Sequence, residues 1–179
     1  MSAVSHQPDG AAFDVVLLLH VACVVVGLVT TGTAAATASR LRRLAGTGAA
    51  LPDPLRRYFR PGVNWAGRTI YGIPVFGFAL LAMSQGAYSL RQGWVFGGLA
   101  IFAVLALLAE GVLWPAERRL QMLVASVSNG PGGPPGPAAA AGTEPDVDRM
   151  VADATAMARA ADVALVLLVA GVVLMVAQP

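Results

Sequence analysis

The chain contains no lysine: all twelve basic residues among its 179 are arginine. Charge of either sign is scarce, at 12% of residues against roughly 25% in an ordinary soluble domain. With a net charge of only +2 and no arginine stripe on a soluble element, nucleic-acid binding is excluded as a reading. Cys23 is the single cysteine, so an internal disulfide and every CxxC-type redox or zinc motif are excluded. Its apolar neighbours suggest a packed, unreactive thiol. There are two histidines, His6 and His20, and only His20 lies in an apolar segment. A bis-histidine haem within one chain is therefore excluded, and haem would require a methionine ligand or a second protomer. No phosphate loop, HExxH pattern or serine–histidine–acid set is present, so the expectation is a non-enzyme without cofactor.

What the chain has instead is long uncharged runs. Twenty-five residues separate Asp14 from Arg40, twenty-two separate Arg68 from Arg91, and eighteen separate Arg91 from Glu110. Seventeen more follow Asp162. About 20 apolar residues at 1.5 Å each cross the hydrocarbon of a bilayer, so the first two runs span comfortably. The third spans if Glu110 lies near the interface. The fourth needs Ala160 and Ala161, and places Asp162 at the bilayer edge or inside the bundle. The expected fold is all-α: a polytopic four-helix transmembrane bundle, with an amphipathic cytoplasmic helix leading into the last span.

Arginine placement sets the expected orientation. Residues 40–61 carry six arginines, and Arg118, Arg119, Arg149 and Arg159 follow the third span. The short turn between spans two and three has only Arg91, and residues 1–12 have none. The positive-inside rule then puts both termini outside a cell (plasma) membrane. A secretory signal is not indicated, because the first apolar run lacks a basic leader and is followed by arginines. The chain divides into an exterior tail (1–12), spans one to three with the basic loop 40–61 (13–127), a Gly/Pro-rich linker (128–145), and an amphipathic helix with the fourth span (146–179). In that last helix Val147, Met150, Val151, Ala154, Met157 and Ala161 recur at helical spacing opposite a largely acidic face. Thr143 and Asp146 resemble a capping box at its start. Its acidic face would be repelled by anionic lipid, so packing on the protein or a partner, near the basic loop, is expected.

Ionisable residues inside spans are costly and mark candidate sites. Arg68 and Glu110 fall at similar depth on antiparallel spans and are expected to form an ion pair or polar network, which Asp162 could join. The first reading of that network is a register-fixing pair, and the alternative is a proton or ion pathway. His20 sits about 10 Å from the outer end of its span, with Cys23 at i+3 on the same face. Met83 and Met175 fall in the outer halves of their spans. Imidazole, thiolate and thioether suit Cu(I), whereas the plainer reading makes His20 a helix–helix hydrogen-bond donor. Small residues recur every fourth position at Cys23, Gly27, Thr31 and Ala35, and at Ala152, Ala156, Ala160 and Ala164. Such faces let helices approach closely. Gly72 and Pro74 should bend the second span.

LLLHVACVVVG in the first span, WAGRTIYGIPVFG in the second and GW opening the third follow one another in a characteristic order. WPAERRL leaves the third, and ADVALVLLVAGVVLMVAQP closes the chain. In that order they resemble a family of bacterial integral membrane proteins catalogued as domain of unknown function 2269. The resemblance runs from about Phe13 to Pro179, leaving out the linker. It implies the four-helix architecture, supplies no catalytic residues, and matches His20 to the family's first-span histidine. Gln178 stands where the family usually has lysine. Three functional readings follow. The first is a structural or accessory subunit of a membrane complex, whose partners are lipid and other membrane subunits. The others are a small transporter or copper-handling protein, and a haem-bearing redox subunit.

Overall fold

The structure, a computed structural model, describes residues 10–45, 47, 51–128 and 144–177. Residues 1–9 of the expected tail, 129–143 of the expected linker and the closing Gln178 and Pro179 lie outside the described residues. Among the described residues every regular element is a helix, and four stretches are long and apolar enough to cross a membrane. In hydrocarbon a backbone must satisfy its own hydrogen bonds, which a helix does within one segment.

α1 (Ala11–Ala45) carries Asp14 in its first turn and Arg42 and Arg43 in its last, each sign opposite to the helix dipole there. Its 35 residues rise about 52 Å, well beyond the ~30 Å of hydrocarbon. α2 (Asp53–Tyr58) is a short helix inside the segment read as the basic loop 40–61. Pro52 at its cap and Pro54 in its first turn lack only N–H groups that the turn does not use. Burial of Leu55 and Phe59 holds it in place.

The second span begins with α3 (Trp65–Arg68), capped by Asn64, whose side-chain oxygen accepts from the Gly67 N–H at 3.1 Å. A 3-10 turn (Thr69–Tyr71) leads into α4 (Gly72–Met83). The expected irregularity therefore falls just before Gly72. Pro74 cannot donate to the Ile70 carbonyl, so a regular α pattern cannot run through that point. The turn after α4 holds Gln85 at φ 51° and Gly86 at φ 89°. Ser84 secures it, its hydroxyl donating to the Leu81 carbonyl at 2.7 Å and accepting from the Tyr88 N–H at 3.3 Å. Tyr88 meets Trp94 edge to face, an aromatic pair of the kind found at membrane interfaces.

The third span extends further than its apolar run. α5 (Gly93–Leu108), a π turn (Ala109–Leu113) and α6 (Trp114–Ser128) follow without a break. Pro115 removes the bond that would go to the Gly111 carbonyl, which accounts for the wider turn there. α7 (Glu144–Val176) joins the expected amphipathic helix and the fourth span in one piece. Met150, Ala154, Met157 and Ala161 are buried as their spacing predicts.

The chain divides into two compact units. The first comprises residues up to Thr30, Asn64–Leu105 and residues from Leu165. It rests on close helix approach at glycines. A Cβ on Gly72 would lie 2.5 Å from Cys23 Sγ, one on Gly27 would lie 3.2 Å from Ile70, and one on Gly97 would lie 2.9 Å from Leu174. The second unit, Thr31–Val63 and Ala106–Ala164, is packed more like a soluble core, with Leu41, Phe59, Leu120 and Met157 almost wholly buried. Thr31 and Ala35 are buried here, as the four-residue repeat on α1 predicts; on α7 Ala160 and Ala164 are buried but Ala152 is exposed.

Gly72→Ala should overpack the α1–α4 contact and destabilise the protein by about 1–3 kcal/mol. Adding Cys23→Ala should recover most of that loss. Thermal unfolding in detergent of the two single variants and the double variant checks this, and additive losses would contradict it.

Candidate functional site

His20 is 5% exposed and belongs to the first unit. Its Nδ1 lies 2.9 Å from the Ile73 carbonyl oxygen on α4. A carbonyl only accepts, so Nδ1 carries the hydrogen and His20 is a helix–helix donor, the plainer of its two sequence readings. Room for the ring comes from Gly77, where a Cβ would lie 3.4 Å from His20 Cε1. Cys23, one turn along, packs its sulfur on Gly72. The structure thus brings His20 and Cys23 against one stretch of α4. Met83 ends α4 and Met175 lies in the last turn of α7, both half-buried. Among the described residues no group of three or more His, Cys, Asp or Glu side chains could hold a metal ion.

Of the expected polar network, Arg68 ends α3 in the first unit and is half-buried. Glu110 lies in the π turn of the second unit and is exposed. Asp162, also in the second unit, is exposed on α7 and makes no ion pair among the described residues. Asp162 is thus not covered by other helices of its own chain among the described residues.

A polar cluster in the second unit escaped the sequence reading. Glu117 and Gln121, one turn apart on α6, are both buried. Gln121 donates its side-chain N–H to the Gly62 carbonyl at 3.2 Å, tying the end of the basic segment to α6. The Tyr58 hydroxyl is buried with no hydrogen-bond partner among the described residues. Burial, and secondly the negative charge of Glu117, push its pKa far above the ordinary value, so it stays neutral. Arg119 on α6 pairs with Asp153 on α7 at 2.8 Å. Arg119 of α6 thus meets Asp153 on the polar face of α7. The ERR run after Trp114 was the available signal, since acids and bases one residue apart on a helix face different neighbours.

No protein-family model, curated protein or solved structure matches the chain. The fold itself defines the class: an all-helical, multi-pass membrane protein.

Tyr58→Phe removes an orphaned hydroxyl and should leave stability unchanged or raise it by about 1 kcal/mol. Because the phenol pKa is raised on folding, Tyr58 contributes stability fully below about pH 10 that is lost as pH rises towards its folded value. The variant should therefore lose less stability than the parent above pH 10. Melting curves across that range decide it, and a clear loss at neutral pH would show an unrecognised role for the hydroxyl.

Proposed function

We propose that this protein is a non-enzymatic accessory subunit of a complex in the cell membrane, with both termini outside and the arginine-rich segments in the cytoplasm. The observation that carries the association reading is the exposed carboxylate of Asp162. After it, residues 163–176 form an apolar helical run of about 21 Å, shorter than the ~30 Å of hydrocarbon. A charge at that depth is expensive unless another group meets it. On the same face Val166, Val169, Val173 and Val176 are exposed and form a ridge. A partner helix lying along that ridge and donating to Asp162 would satisfy both features. Burial elsewhere supports the reading: the share of each spanning window buried within the chain runs from 6% to 22%. The orientation rests on the ten-to-one arginine asymmetry already described. Kinship with the domain of unknown function 2269 family is part of the same proposal and rests on the order of its motifs.

Asp162→Asn should leave the isolated protein as stable as the parent, or more stable, while weakening its complex. Photo-crosslinkers placed at Val166 and Val169 should capture one membrane protein in the parent and lose it in Asp162→Asn. Probes at Val21 on the exposed side of α1 serve as the reference. Capture that is equal from both faces, or unaffected by Asp162→Asn, would overturn the proposal.

A further inference from the structure

Six arginines between positions 40 and 60 are exposed, and none forms an ion pair with any described residue. That sets them apart from Arg119 and Arg149, which pair with Asp153 and Asp146 in the same unit. The single acid among them, Asp53, is exposed and also forms no ion pair with any described residue. The fold holds these arginines on ordered backbone. Arg40, Arg42 and Arg43 occupy the end of α1 around the wholly buried Leu41. Arg56, Arg57 and Arg60 surround α2, whose inward side is fixed by Leu55 and Phe59. Arg56 and Arg57 lie within α2, and Arg60 follows two residues after its end. Gln121 ties down the chain just beyond them, at Gly62.

The depth of Arg40, Arg42 and Arg43 also follows from the length of α1. Arg40 lies 26 positions beyond Asp14 along continuous helix, about 39 Å, which is close to the 40–45 Å of a bilayer with its headgroups. With Asp14 in one headgroup layer, Arg40 reaches the other. The positive-inside rule needs charge on this side but not a fixed, unneutralised cluster made only of arginine. The guanidinium group presents a planar fork that binds phosphate oxygens in pairs, which the ammonium of lysine does not.

We infer that the exposed face of α2 and the end of α1 form a binding surface for anionic phospholipid headgroups, with the arginine forks clasping the phosphodiester. The surface needs no partner protein and no particular orientation in the cell. It can therefore be tested on the purified full chain independently of the accessory-subunit reading.

The experiment is native mass spectrometry and thermal unfolding of delipidated protein in detergent, with added phosphatidylglycerol, phosphatidylcholine or inorganic phosphate. Phosphatidylglycerol should be retained and should raise the melting temperature, and phosphatidylcholine and inorganic phosphate should do neither. The triple variant Arg56→Gln/Arg57→Gln/Arg60→Gln should lose at least about tenfold in phosphatidylglycerol affinity, taking roughly 1 kcal/mol as one lipid-facing arginine's contribution. It keeps Arg40, Arg42 and Arg43 for insertion, and its melting temperature without lipid should match the parent. The control Arg118→Gln/Arg159→Gln should retain lipid normally. Equal retention of both lipids by the parent, protection by inorganic phosphate alone, or normal phosphatidylglycerol retention by the triple variant would overturn the inference. Should the triple variant unfold, the salt response of the parent decides instead: retention that does not weaken as salt shortens the screening length contradicts an electrostatic clasp.

Discussion

A backbone in hydrocarbon has no water to bond, and this constraint organises the rest of the structure. It explains why every described element is helical, and why the prolines within the described helices lie at caps, in first turns or where the helix changes pitch. It also changes what holds helices together. Where lipid is the solvent, burying leucine against leucine gains little, so contact must come from close backbone approach and polar bonds. The first unit shows both, in the glycine notches at Gly27, Gly72 and Gly77 and in the bond from His20 to Ile73. The second unit packs Phe59, Leu120 and Met157 in a tighter apolar core and adds ion pairs at its surface.

The four spans were legible in the sequence because charge is so rare that its gaps mark the membrane. The amphipathic start of α7 was legible for the same reason that any helix facing both apolar and polar surroundings is: its buried positions recur at the helical period. The small-residue repeat on α1 was also readable, since only close packing rewards Cys23, Gly27, Thr31 and Ala35 at that spacing. The donor role of His20 could be expected. Its acceptor could not, because pairing across 53 residues leaves no local trace.

Other features were hidden for physical reasons. α2 is too short to reveal a period and exists through the burial of two side chains. The π turn depends on a proline that also reads as the end of a span. Tyr58 and Glu117 meet only through tertiary structure, so no spacing announces them. Asp162 could face inward or outward until the rotation of α7 was known, and that rotation is set by what α7 packs against.

The account depends on lipid surrounding the apolar runs and on the arginines marking one face of the membrane. The most direct measurement is thiol labelling in intact cells, with Cys23 replaced by alanine and a single cysteine introduced at Asp53. An impermeant maleimide should react there only after the membrane is opened, whereas a cysteine introduced at Ser89 should react in intact cells. Labelling of the Asp53 position from outside intact cells would contradict the account.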